Sequence, residues 1–384
     1  MIDALLPWCA AEKAWLLETI EALVRLESPS TDKAAVDRCG SELAARLQGI
    51  GGAVTRIDGG VRGNHLRADF PGDGPPVLLL GHFDTVWPVG QLARMPLVHD
   101  RDAGVLRGPG VFDMKAGIGV AMLAVRALRA LPFDRTPRVT MLWTTDEEIG
   151  SETSRATIES TARECRAVLV LEPSLPGGAA KTSRKGVGEF ELIAHGVAAH
   201  AGLDPLKGAS AIHELARQIL AIEALQDLDR GITFNVGLVA GGSRTNVVAD
   251  RATAMIDVRV PTLAAASDVE SRLRALRPYS SRTRLEIHGG ISRPPLERTP
   301  AVANLFGLAR AAALALGADL GEGSAGGGSD GNFTGAAGVP TLDGLGPRGD
   351  GAHALHEHVV VGDLPWRAAL VAALVSRIET TSRI

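Results

Sequence analysis

Residues 76–84 read Pro-Val-Leu-Leu-Leu-Gly-His-Phe-Asp, an apolar run that ends abruptly in a glycine, an imidazole and a carboxylate. An apolar run with no polar alternation suits a strand buried on both faces, as in parallel sheets covered by helices on either side. The pattern recurs twice. Residues 138–143 (RVTMLW) run into Thr144-Thr145-Asp146-Glu147-Glu148, and residues 167–171 (AVLVL) run into Glu172-Pro173. Residues 117–131, between the first two runs, have a helical pattern. So do residues 12–26 and 33–50, the latter closed by Gly51-Gly52. Strands alternating with helices predict an α/β fold around a central, largely parallel sheet.

Near residue 184 the texture changes. Residues 186–195 (GVGEFELIAH) alternate as a half-exposed strand does, and residues 210–225 form an amphipathic helix. Strands at 233–240 and 252–260, a helix at about 265–277 and a strand at 284–288 follow. This order, βαββαβ, is that of ferredoxin-like domains. An insert over 184–288 is therefore expected inside a domain built from 1–183 and 289–384.

The 384 residues suffice for two or three domains, and 45% hydrophobic content excludes a disordered chain. Lys and Arg total 40 against 44 Asp and Glu, so no basic excess exists to neutralise nucleic-acid phosphates. The low aromatic content also argues against base stacking on the insert. No charge-free run is long enough to span a bilayer, and residues 1–26 lack the features of a secretory signal. Cys9, Cys39 and Cys165 are too few and scattered for a disulfide framework or a thiolate cluster. A cytoplasmic protein with reduced thiols is the expectation.

Ligands of open α/β sheets collect beyond the carboxyl ends of the strands. Four loops deliver His or carboxylate groups there, counting Asp113 in the turn Gly108-Pro109-Gly110-Val111-Phe112-Asp113. Any one carboxylate after a strand is more often a helix cap or turn residue. Four together form a His-carboxylate set without Cys, suited to zinc or manganese. Divalent cations would offset the repulsion between such groups.

The segments His82-Phe83-Asp84-Thr85-Val86, Gly110-Val111-Phe112-Asp113-Met114-Lys115-Ala116-Gly117, Thr145-Asp146-Glu147-Glu148-Ile149-Gly150-Ser151 and Leu171-Glu172-Pro173 resemble, in order, the motifs of a di-zinc metallopeptidase family. That family includes glutamate carboxypeptidase, acetylornithine deacetylase, succinyl-diaminopimelate desuccinylase and aminoacylase. The resemblance covers nearly the whole chain. It implies a phosphorylase/hydrolase-like catalytic domain with a mixed central sheet and an inserted lid or dimerisation domain. It also implies two Zn2+ per subunit, with Co2+ or Mn2+ as substitutes, and a homodimer formed through the insert.

By the same resemblance His82 and Glu172 hold one metal, Glu148 holds the other and Asp113 bridges them. The remaining ligand is the His of a late H-x-x-x-E segment. Of His353, His356 and His358 only His353 has a Glu four places on, Glu357, so His353 is expected and the other two remain alternatives. Glu147 would be the general base, and Asp84 would orient His82. A cis bond is implied between Asp113 and Met114. In the insert, His200 (Ala199-His200-Ala201-Gly202) would stabilise an oxyanion in the partner subunit's site, with a surface turn as the plain reading. Asn246 would bind substrate, and Arg259 would bind substrate or form a structural ion pair. The stretch 326–333 (GGGSDGNF) lacks the Gly-Lys-Ser/Thr of a P-loop. The resemblance makes Ser329 and Asn332 pocket residues; a flexible surface loop is the alternative.

The motifs lie nearest the glutamate carboxypeptidase branch. The expected function is hydrolysis of an amide or peptide bond next to a free carboxylate, with small peptides or N-acyl amino acids as substrates. The rivals are an N-acyl-amino-acid deacylase and a non-catalytic relative that only binds a metabolite.

Overall fold

In a computed structural model of the chain, which describes residues 2–381, the three apolar runs form the parallel strands Asp73–His82, Pro137–Thr144 and Ala167–Val170. Thr341–Leu342 adds a fourth parallel strand beside Ala167–Val170. His65–Phe70 and Ala53–Ile57 extend the opposite edge antiparallel, so the six-stranded sheet is mixed. Val77, Leu79, Met141, Trp143, Leu169 and Leu171 pack into one core, shared with residues of helices Ala116–Ala130 and Leu364–Thr380. Leu78, Leu80, Leu142, Val168 and Val170 pack into a second, with Ile158, Ala162 and Phe333. Successive side chains of a strand point to opposite faces, so a sheet covered on both sides needs the unbroken apolar runs.

The predicted N-terminal helices are Lys13–Arg25 and Lys33–Gly49; the Asp32 carboxylate caps the second by accepting the Ala35 N–H. A further helix, Ile2–Ala11, escaped the periodicity because Pro7 lies inside it. Cys9, Cys39 and Cys165 form no disulfide, and burial pushes the Cys9 and Cys165 thiols up to about 12. Among the described residues no helix is long and apolar enough to cross a membrane.

The chain divides into two compact units. One comprises Met1–Ser183, Glu297–Ala325 and Ser329–Ile384, and the other Arg184–Leu296 with Gly326–Gly328. In the second unit, strands Gly186–His195, Thr233–Gly241, Arg251–Val260 and Arg284–Arg293 form an antiparallel sheet with helices Ala211–Glu223 and Leu263–Arg274. Phe190, Leu192, Leu215, Ile256, Val258 and Val269 make its core. Its last strand continues beyond His288, where the sequence suggested an end. Gly289 (φ +88°) pairs with Phe190 where a Cβ would strike the Glu189 carbonyl, so a glycine lets the ladder run on.

Gly117 sits where the first turn of Ala116–Ala130 meets the Leu171 carbonyl; a Cβ there would collide with that oxygen and reach the Met114 methyl at 3.0 Å. Leu171 leads directly into Glu172. Gly117→Ala is expected to lower the unfolding free energy by about 1–3 kcal/mol. Urea denaturation would show it as a lower midpoint with an unchanged slope.

Candidate metal centre

His82 ends its strand, and Asp113, Glu148 and Glu172 lie in the loops of the same sheet edge. The side chains of His82, Asp113 and Glu172 converge in one group, and those of Asp113, Glu148 and His353 in a second. Asp113 belongs to both. Its Oδ1 lies 3.3 Å from His82 Nε2 and its Oδ2 lies 3.3 Å from His353 Nε2. Glu172 Oε1 is 3.3 Å from His82 Nε2, and Glu148 Oε2 is 3.0 Å from His353 Nε2. Among the described residues His356 and His358 stand outside both groups.

This donor set fits a pair of divalent cations. Two donors each about 2.0–2.1 Å from one tetrahedral ion stand about 3.3 Å apart, and the separations here have that spacing. His82 Nε2, Asp113 Oδ1 and Glu148 Oε1 are buried without a hydrogen-bond partner, an arrangement a folded chain rarely tolerates unless another group satisfies the atoms. Nitrogen and oxygen donors without thiolate suit zinc, manganese or cobalt.

The clustered imidazoles and carboxylates shift one another's protonation. Burial opposes charge on His82, but Asp113, Asp84 and Glu172 outweigh it and hold its pKa well above the ordinary value. Hydrogen bonding to Asp113 and Glu148 raises His353 to about 10. Burial raises Glu148 to about 7 despite the bond from His353. Burial likewise works against ionised Asp113, yet the two imidazoles keep it below the usual carboxylate range.

Two further carboxylates shape the loops. Asp84 places Oδ1 3.3 Å from His82 Nδ1 and accepts the Ser30 hydroxyl, while the backbone N–H groups of Glu147 and Glu148 reach it at 3.4 and 3.3 Å. Glu357, buried, accepts the N–H groups of Gly110, Phe112 and Asp113 and the Trp87 indole N–H, at 2.8–3.1 Å. It therefore fixes the turn that carries Asp113, whose bond to Met114 is cis. The sequence used Glu357 only to choose among histidines; its spacing gave no sign that it would turn inward to collect amides.

His200, Asn246 and Arg259 belong to the second unit. His200 is exposed and bridged antiparallel to Val247 just before a turn, its Nδ1 accepting the N–H groups of Gly202 and Leu203, and the Asn246 carbonyl accepts the Ala201 N–H. The Arg259 guanidinium makes a two-pronged pair with Asp257, at 2.9 and 2.8 Å, as the ion-pair alternative expects. Ser329 and Asn332 are both buried: the Ser329 hydroxyl donates to Asp343, and the Asn332 side-chain oxygen accepts the Ser329 N–H, so both brace their loop.

The model of peptidase family M20/M25/M40 matches residues 78–377. The chain belongs to this peptidase family. Carboxypeptidase G2 of Pseudomonas sp. (strain RS-16) is 28% identical over 375 residues, covering 95% of this chain and 89% of that one. A succinyl-diaminopimelate desuccinylase of Verminephrobacter eiseniae is 27% identical over 383 residues, covering 91% and 92%. Among solved structures, an aminopeptidase PepT from Bacillus cereus superposes with a TM-score of 0.77 at 22% identity, covering 96% of this chain and 99% of that one. The YXEP protein of Bacillus subtilis, described as a dinuclear metal-binding M20 peptidase, gives 0.73 at 15% identity, covering 98% and 100%. As an M20/M25/M40 member the chain is a hydrolase of peptide or amide bonds.

Shared use of Asp113 gives an uneven mutational pattern. Zinc-loaded wild type should carry two ions per chain, His353→Ala one and Asp113→Ala almost none, read by elemental analysis after desalting. The protons on the imidazoles set the pH dependence. His353 is raised from 6.5 to about 10, so its pairing stabilises the metal-free fold below about pH 6.5 and is lost as pH rises through about 10. Cation binding at pH 7 must expel that proton, so apparent affinity should fall with decreasing pH. Adding zinc in weak buffer with a pH indicator should release at least one proton per chain.

Proposed function

We propose that the chain is a dinuclear metal-dependent exopeptidase of the carboxypeptidase kind. It would cleave an amide bond next to a free carboxylate, with a C-terminal glutamate as the first leaving residue to test. The observation that carries this reading is Asp113 shared between two histidine–carboxylate groups, with Glu147 adjoining one of them in sequence. Support also comes from the relative named carboxypeptidase G2, matched over 95% of this chain.

His82, Asp113 and Glu172 would hold one cation, and Asp113, Glu148 and His353 the other. When bound, such a pair supplies Lewis acidity and an acidified water for attack on a carbonyl. Glu147 takes that proton and returns it to the leaving nitrogen. Asp84 holds His82 by its Nδ1 edge and grips the Glu147 and Glu148 amides, so base and ligands share one support. The second unit serves as a ferredoxin-like lid, with His200 donating to the oxyanion and Asn246 binding substrate, His200 acting across a homodimer. Leu220, Leu238 and Val239, exposed on a helix and an edge strand of that unit, support its use as a contact surface.

Glu147→Gln should lower kcat by about 10²–10⁴ with both cations retained. Undiminished activity would remove Glu147 from the reaction. Zinc-loaded protein should hydrolyse N-acyl-glutamates and dipeptides. Hydrolysis of N-acetylornithine alone would transfer the chain to the deacylases, and inertness on all three would leave a metabolite-binding relative.

A further inference from the structure

The glycine-rich stretch 326–333 holds a residue the expected pocket role did not use. Asp330 is almost fully buried in the first unit, on a loop otherwise concerned with its own bracing. Its Oδ2 accepts the Thr144 hydroxyl at 2.8 Å, and its Oδ1 accepts the Ser151 hydroxyl at 2.5 Å. Thr144 ends the strand Pro137–Thr144, and Ser151 closes the turn that follows. Between these anchors lie Asp146, Glu147 and Glu148. One carboxylate thus clasps both ends of the acidic turn without belonging to either histidine–carboxylate group.

Ser151 stands at φ +58°, a left-handed conformation that favours glycine. Its N–H donates to the Asp146 carbonyl at 2.7 Å while its hydroxyl goes to Asp330. A serine at a position suited to glycine makes sense if the hydroxyl is needed. Thr144 ties the clasp to the neighbouring strand, its carbonyl accepting the Phe83 N–H one residue beyond His82.

We propose that Asp330 is a positioning residue that sets the Glu147–Glu148 turn, and with it the Asp113–Glu148–His353 cation site, through the hydroxyls of Thr144 and Ser151. The kinetic part rests on the hydrolase reading above; the metal-binding part does not. Because the backbone pairing of Thr144 with the His82 strand does not use its hydroxyl, loss of the clasp should loosen the turn far more than the His82–Asp113–Glu172 group.

The test uses the full chain and Co2+ as probe. Asp330→Asn keeps the shape and removes the charge. Ser151→Gly removes the hydroxyl while easing the backbone, so a merely structural role predicts unchanged or improved stability and unchanged binding. Each should weaken one of the two Co2+ sites by about 10–100-fold and lower kcat by a similar factor, with KM within about threefold. In a His353→Ala background, which keeps only the His82 group, Asp330→Asn should leave Co2+ affinity unaltered. Thr144→Val, which removes the other hydroxyl of the clasp, should weaken the same site, while Thr144→Ser, which keeps it, should retain most of the affinity. Equal weakening of both sites, or full affinity in Asp330→Asn and Ser151→Gly, would overturn the proposal. If wild type proves inert toward every amide while the selective Co2+ effect persists, the hydrolase reading falls and the clasp stands.

Discussion

Two imidazoles facing opposite oxygens of one carboxylate is the constraint around which the site is arranged. Asp113 can serve both groups only if its turn is held still, and its own side chain cannot do this because its two oxygens face the two imidazoles. The restraint comes from behind. Glu357 collects three consecutive-region amides and an indole N–H, using both its oxygens, so the backbone of the Asp113 turn is fixed from the side away from the donors. Burial pushes the Glu357 carboxyl above the ordinary carboxylate range, and the bonds from these donors work against that shift. The demand for satisfaction and the demand for rigidity are met by the same bonds.

A division of labour among the acids follows. Asp84 and Glu357 have both oxygens engaged by the chain's own N–H and O–H groups. Asp113 Oδ1 and Glu148 Oε1 are buried without such bonds. Acids of the first kind hold the chain, and those of the second kind face the imidazoles of His82 and His353. Composition cannot separate them, since all are Asp or Glu near strand ends; only the count of donors around each does.

This explains how far the sequence could be read. The runs 76–80, 138–143 and 167–171 were legible because a doubly covered sheet leaves no room for polar residues, and that signal is local. The outer strand Ala53–Ile57 was not, because its mixture of exposed and half-buried residues carries no clear period. The loop residues His82, Asp113, Glu148, Glu172 and His353 could be singled out by motif and spacing, and the structure brings them together. For Ser329, Asn332 and Arg259 the sequence could not show the internal partners, because polar residues near a glycine-rich loop or on a strand look alike whether they meet a ligand or another side chain. Their partners, Asp343 and Asp257, lie 14 and two positions away. Glu357 and Asp330 were missed for the converse reason: their partners lie more than 170 positions away in sequence.

The two imidazoles also act as counter-charges within the site. Three carboxylates, Asp113, Glu148 and Glu172, would repel one another as a bare cluster. With His82 and His353 charged, each group contains its own counter-charge at the spacing a cation would impose. Binding of cations at these donors would exchange protons for metal, and that exchange should govern how tightly the cations are held.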